Sequence, residues 1–493
     1  MFTDERRCNV WGLVRQHGLR VFGRFLPTAV FCEAAGDAGV RLGTSALGLP
    51  TLVMLGLGAA LHGAKSFADV LVLTLKLLED GEHWNDSPLA AARRNAKRAR
   101  KRCPRNKRSK HDPRGGDPTT VTEEAFAQAR QRMPLKFWFA LLMVLGQRFQ
   151  SQHGKQLCWH EFRLLALDGS TVNLPNWKAL KEHFGCAKNG KSWRAQARMV
   201  MLQFPLARLP FRYELGTLAE GERAIASRLL VGLSRNDLVL IDQGFWSYRL
   251  FWQISLQQAY FAIRKYPDVC FRTIKRLGPG DRLVEWMPSN PRQRRGLPEP
   301  IRLRVIDYQI KGYRPTGVVT NLLDPTRIPR EAWVHLATKQ EEGRLRLAQG
   351  LYHRRWEIET TYHELKVTQG MEGSLRSRTP QGIAYEVAGH VLLYFLIRWL
   401  IVEAAEGGAA DPLRISFKGA LDELLDMAPT LIVAPAARVA SVLLPRLLQR
   451  IAAHLVPFRP GRSYARPRDG KIKNHGHGKT RCPHKLNRNA AEA

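Results

Sequence analysis

The chain has 493 residues, of which 44% are hydrophobic, 77 are Lys or Arg and 43 are Asp or Glu, for a formal net charge of +34. That length exceeds what one hydrophobic core usually supports, so about two to four domains are expected, and the apolar content excludes a wholly disordered chain. Excess positive charge adds nothing to folding, because like charges repel. It points to a polyanionic partner, nucleic acid ahead of an anionic membrane surface.

Residues 1–92 read as a helical region. Pro27 and Pro50 each precede an apolar stretch, a place where a first helical turn tolerates proline. Ser66 with Asp69 resembles a capping box ahead of VLVLTLKLL. The run from Gly43 to Leu61 is long enough to suggest a membrane span, but Pro50 and several glycines interrupt it, and no membrane association is expected. The opening MFTDERRCNV lacks a signal-peptide apolar run, and seven scattered cysteines without a CxxC pair do not look like a disulfide framework. A cytoplasmic protein is therefore expected.

Composition changes abruptly over 93–120, a basic linker. From Arg93 to Lys110, 11 of 18 residues are Lys or Arg and none is acidic. Such a run is either a solvated charge tract or a phosphate clamp that orders on DNA. Helix resumes near Thr122. After about Phe162, Leu164–Leu167 and Leu238–Ile241 are apolar runs of buried-strand length. More strand-like pieces follow between Val269 and Leu323. Ile301–Val305 (IRLRV) alternates strictly, which predicts two arginines on one face and three apolar residues on the other. Helix returns before Tyr352 and lasts to about Pro457. From Arg459 to Arg488 there are ten Lys or Arg and one acid.

The two apolar runs each lead into an aspartate with a glycine close by: LLALDG places Asp168 and LVLIDQG places Asp242. A carboxylate at the end of a buried strand is held rigidly yet remains accessible. Taken singly, each could be only a turn after a strand. A third acid, Glu359, lies in LYHRRWEIETTYHELK, residues 351–366. On a regular α-helix at about 100° per residue, Tyr352, Arg355, Glu359 and Lys366 fall on one narrow stripe. His363 shares that stripe. Arg355 and Glu359 could be an ordinary surface pair at i,i+4, but the stripe extends well beyond one pair. Three carboxylates on separate elements are what two-metal phosphoryl transfer requires.

YHRRWEIETTYHELK fits the YxxRxxxExxxxxxK signature and resembles the insertion-sequence-four family of bacterial DDE transposases, at Tyr352, Arg355, Glu359 and Lys366. LDGSTVNLP, DLVLIDQGFWS and YFAIR look like that family as well, as do TEEAFAQARQR and TNLLDP, over roughly residues 20–420. The resemblance implies an α/β fold: an RNase H-like catalytic core interrupted by a β-rich insertion domain, with helical N- and C-terminal regions. The implied boundaries are 121–266 and 331–420 for the core, 267–330 for the insertion, and 421–493 for the C-terminal region and basic tail. It also implies that Asp168, Asp242 and Glu359 bind two Mg2+ ions, with Mn2+ able to substitute. Tyr352, Arg355 and Lys366 would grip phosphates at the transposon end, and Trp286 would stack on a base flipped out of a hairpin.

The implied activity is cut-and-paste transposition: metal-dependent strand cleavage and transfer of a 3′-hydroxyl, through a hairpin. Its partners would be terminal inverted repeats and target DNA, bridged by a homodimer. The chain departs from the family at Gln243, where arginine is usual. Two rivals stand beside this reading: a related metal-dependent nuclease, and a non-catalytic or domesticated DNA-binding protein. In the tail, His475 to His484 could suggest zinc, but a basic tail without a second cysteine is expected instead.

Overall fold

The computed structural model describes residues 22–63 and 123–457, apart from 23, 43–46, 190–191, 267–268, 299, 310–314, 334–337, 342–343, 348–350, 409 and 434–437. The capping box at Ser66, the basic linker and the His/Cys tail lie outside the described residues. In chain order the strands are β1 (Cys158–Trp159), β2 (Phe162–Asn173), β3 (Cys186–Asn189), β4 (Ser192–Phe204), β5 (Leu209–Gly216), β6 (Asp237–Ile241), β7 (Tyr260–Arg264), β8 (Arg272–Gly278), β9 (Asp281–Trp286), β10 (Ile301–Tyr308), β11 (Thr316–Thr320), β12 (Thr338–Glu341) and β13 (Arg344–Leu347). The longer helices are α1 (Thr28–Asp37), α2 (Leu49–His62), α3 (Glu123–Arg132), α4 (Leu135–His153), α5 (Lys178–Phe184), α6 (Glu222–Leu229), α7 (Tyr248–Leu256), α8 (Glu357–His363), α9 (Pro380–Gly407), α10 (Phe417–Val433) and α11 (Leu444–Ala453). The fold is mixed α/β and forms two compact units. Of the described residues, one comprises those up to Cys158 with Asp168–Leu229 and Glu357–Val456; the other comprises those within Trp159–Leu167 and Leu230–Trp356.

The first unit is built around α9. Thr379 caps it by accepting from the Gly382 amide at 3.2 Å, and Pro380 occupies the first turn, where a missing N–H costs nothing. Almost every residue from Gly382 to Ala405 is buried, so this helix is apolar on all sides because it is core on all sides. By length and composition it could cross a membrane, yet 94% of its most apolar window is buried inside the protein. Its crossing with α2 is close: a Cβ at Gly389 would stand 2.6 Å from the Gly56 carbonyl oxygen. Tyr385 donates to the Leu52 carbonyl at 2.5 Å across the same contact. The apolar run read at 43–61 thus becomes, in α2, one half of a buried helix pair. In the same unit β4 pairs antiparallel with β3 and with β5.

In the second unit the strand order is β2-β6-β7-β11-β10-β9-β8. β2 and β7 both run parallel to β6, and α7 supplies the crossover from β6 to β7. All five residues of β6 are buried, as expected of a central parallel strand. Pairings from β7 onward are antiparallel. The strand-like pieces read between 269 and 323 therefore extend one sheet from β7 outward. The IRLRV pattern corrects one expectation. Arg302 is exposed as predicted, but Arg304 is fully buried and donates to Asp281 through Nε at 2.9 Å and Nη2 at 2.5 Å, and to the Ile328 carbonyl at 2.8 Å. A carboxylate on the neighbouring strand makes burial of that guanidinium possible.

Candidate active site

Asp242 follows the last residue of β6. Its carboxylate caps the short 3-10 turn Gln243–Phe245, accepting from the Gly244 amide at 3.0 Å, and is 35% exposed. Arg355, 3% exposed, places Nη1 at 3.4 Å from Asp242 Oδ1, and its guanidinium lies over the Trp356 ring. Tyr352 is also buried. Its hydroxyl donates to the Ile241 carbonyl and accepts from the Arg264 amide, both at 2.9 Å. Burial pushes that phenol well above its ordinary range; Arg355 opposes the shift and Asp242 adds to it. Gln243, where the family usually has arginine, donates to the Lys265 carbonyl at 2.9 Å.

Asp168 lies within β2, which runs on to Asn173, so the expected strand end at this aspartate is not found. Its Oδ1 accepts from the Gly169 amide at 2.8 Å. Close approach rather than a turn marks Gly169: a Cβ there would meet the end of the Glu222 side chain, its carboxyl carbon at 2.9 Å, and Arg198 donates to Glu222 at 3.0 Å. The Asp168 carbonyl accepts from the buried Tyr362 hydroxyl at 3.0 Å. Lys366 donates to Ser170 Oγ at 2.7 Å and to the Thr171 carbonyl, and stands 3.6 Å from Glu372. Burial lowers the Lys366 pKa, and Glu372 only partly offsets this.

Glu359 is half-buried in α8. Residues on either side of it anchor the segment: Arg208 donates to Glu357 at 2.7 Å and to Glu364 at 3.2 Å. Glu364 also accepts from Tyr394 at 2.6 Å and from the fully buried Arg398. Burial pushes the Glu364 carboxyl up, but Arg398 and Arg208 outweigh it and hold the pKa below the ordinary value.

A uniform α-helix was expected over 352–366. The structure instead has a 3-10 segment at Leu351–Trp356, then α8, then a π turn at Glu364–Thr368 closed by the Gln369 amide on the Glu364 carbonyl at 2.7 Å. A single turn angle per residue therefore does not hold along the signature. In the 3-10 segment Tyr352 and Arg355, three apart, share one side. Widened turns of this kind recur at functional sites. His363 is exposed. Trp286 is 9% exposed in an aromatic cluster, with ring centroids 5.4 Å from Trp246 and 5.5 Å from Tyr248. Sequence reasoning missed Tyr362, Arg208 and Glu222. Tyr362 lies inside the motif that was read, but nothing in spacing alone distinguishes a tyrosine that bonds to backbone. Among the described residues, no three His, Cys, Asp or Glu side chains form a group able to hold a metal ion.

Residues 159–396 match the family described as "Transposase DDE domain". The chain is similar to the transposase InsG for insertion sequence element IS4 of Escherichia coli (strain K12), 28% identical over 367 residues, covering 72% of this chain and 77% of that protein. Among solved structures it is similar to the cryo-EM structure of a piggyBac transposase synaptic complex with hairpin DNA, at 11% identity and a TM-score of 0.36, covering 90% of this chain and 87% of that one. The matched region takes in Asp168, Asp242 and the whole signature from Tyr352 to Lys366, so this part of the chain matches a transposase DDE domain and resembles the transposase of insertion sequence IS4.

Proposed function

We propose that this chain is a transposase that excises and reinserts its element by cut-and-paste chemistry, with Asp168, Asp242 and Glu359 as the catalytic carboxylates of an RNase H-like core. The observation that carries the reading is the parallel register of β2 and β6. Its last pair, Leu167 with Ile241, is followed immediately by Asp168 on one strand and Asp242 on the other. Adjacent parallel strands delivering an aspartate at the same level is the arrangement that lets two carboxylates serve one reacting phosphate. Carboxylate oxygens are the donor type that suits Mg2+ or Mn2+, and two such ions would stabilise the attacking and departing oxygens. In the free protein Asp242 is engaged by Arg355. Arg355 and Lys366 supply cationic groups for the phosphates of the transposon end. Release of Arg355 from Asp242 would accompany DNA binding.

The finer route is a 3′-hydroxyl that closes a hairpin, is freed again, and joins target DNA, with a homodimer bridging two terminal repeats. Trp286 would have to leave its aromatic cluster to stack on a flipped base. The test is incubation of purified protein with labelled duplex carrying the element's end, with and without Mg2+ or Mn2+. Nicking followed by joining to a second duplex is expected. Nicking without joining would make the chain a nuclease, and neither activity would leave a DNA-binding protein. Asp168→Asn, Asp242→Asn and Glu359→Gln should each abolish cleavage while retaining DNA binding; normal cleavage by any one of them would defeat its assignment.

A further inference from the structure

We propose that Tyr362 and Tyr352 are positioning residues whose buried hydroxyls fix the backbone at Asp168 and at Asp242, and that neither contacts DNA. The proposal rests on the reading of those two aspartates as catalytic. Tyr362 is 6% exposed, and its hydroxyl stands 3.0 Å from the Asp168 carbonyl and 3.1 Å from the Met199 carbonyl. One hydroxyl proton is therefore shared between β2 and β4 at the aspartate itself. Asp168 lies mid-strand, with no turn to hold it, and a fixed carbonyl sets the plane of the peptide that leaves it.

Tyr352 does the equivalent in the other unit. Its hydroxyl donates to the carbonyl of Ile241 and accepts from the amide of Arg264. The parallel pairing of β6 and β7 ends at Ile241 with Ile263, so the phenol bridges the two strands where the ladder stops. The Ile241 carbonyl belongs to the peptide bond that enters Asp242, and holding it orients that residue. A phosphate ligand needs a donor free to turn outward. The single proton of Tyr352 is already given to backbone, and withdrawing the ring would strand the buried Ile241 carbonyl and leave the part-buried Arg264 amide without this acceptor.

The experiment uses the full chain with Tyr362→Phe, Tyr352→Phe and, as control, Tyr385→Phe, which loses a buried hydroxyl-to-carbonyl bond of the same kind to Leu52. Three quantities are measured: melting temperature, affinity for end DNA across a salt series, and single-turnover cleavage at saturating DNA. Expected for both test variants is a cleavage rate lower by about 10- to 100-fold, the cost of misplacing a reacting group by a fraction of an ångström. DNA affinity and its salt slope should stay at wild-type values, and Tyr385→Phe should cleave normally. A weaker, less salt-dependent Tyr352→Phe with a normal saturating rate would make Tyr352 a phosphate ligand and overturn the proposal for it. Normal rates in both variants, or an equal rate loss in Tyr385→Phe, would overturn it outright. Asp168→Asn and Asp242→Asn run alongside. If they cleave normally, the catalytic reading itself fails; if they are inactive while the tyrosine variants cleave normally, only this inference fails.

Discussion

Gly169 shows how a single residue can be noticed for one reason and constrained by another. In the sequence, Asp-Gly after an apolar run reads as a turn. In the structure it is extended strand, and the constraint is the Glu222 carboxyl carbon 2.9 Å from where a Cβ would sit. Glu222 is itself held by Arg198 at 3.0 Å, so Gly169→Ala makes that flexible side chain shift against its partner. A loss of no more than about 1 kcal/mol is expected, the cost of disturbing a partly exposed ion pair, measured as a fall in denaturant midpoint. Adding Glu222→Ala should recover much of the loss, and no recovery would mean that the strain lies elsewhere. The acidic positions themselves were legible, because an aspartate after a strand-length apolar run is local information. The neighbour that crowds the glycine was not, because it comes from a distant helix.

Elements were legible where periodicity governs and illegible where a partner does. The strand runs at Asp168 and Asp242 could be found, but their parallel register could not be read from either one. The signature spacing identified the segment 352–366, while its passage from 3-10 to α to π depends on anchors such as Arg208 and Arg398, far off in sequence. In β10 the alternation predicted an outward Arg304; Asp281 on β9 reverses it. Breaking a buried pair leaves one uncompensated charge, so Asp281→Ala should cost about 3–5 kcal/mol in chemical denaturation. Replacing both residues with leucine and methionine should cost much less. If the double replacement is as harmful as the single, the pair is stabilising in its own right.

Within α9, His390 lies between Ser374 Oγ at 2.6 Å and Gln369 Nε2 at 3.0 Å, and burial, with Arg376 adding, lowers its pKa to about 3 from an ordinary 6.5. The folded state therefore resists protonation that the unfolded state accepts. The neutral form's contribution is fully present above pH about 6.5 and is lost as pH falls toward about 3. The loss across that window is on the order of 5 kcal/mol. His390→Gln should flatten the fall in stability between pH 6.5 and 4 relative to wild type, whatever its effect at neutral pH. An unchanged slope would show that other groups set the acid limit.

At the scale of the whole molecule, the net charge of +34 is a statement about partners, and it was readable from composition alone. What composition cannot say is which cations meet phosphate, and the described residues show why. Arg304, Arg355 and Arg398 are buried against carboxylates, so they are spoken for in the free protein. The run from Arg93 to Lys110, with 11 cations and no acid, has no such local partners in sequence. Each phosphate neutralised releases counterions, and the logarithm of the binding constant falls with the logarithm of salt at about −0.9 per contact. If about half of those cations engage DNA, replacing all of them with glutamine should reduce the slope by about 4–5 units. Phosphate contacts carry no base information, so end-containing and random duplexes should weaken together. Binding titrations from low to moderate salt would read both effects. A variant with the wild-type slope would mean that this run is merely solvated, and the charge that holds DNA would then have to be sought on the folded units.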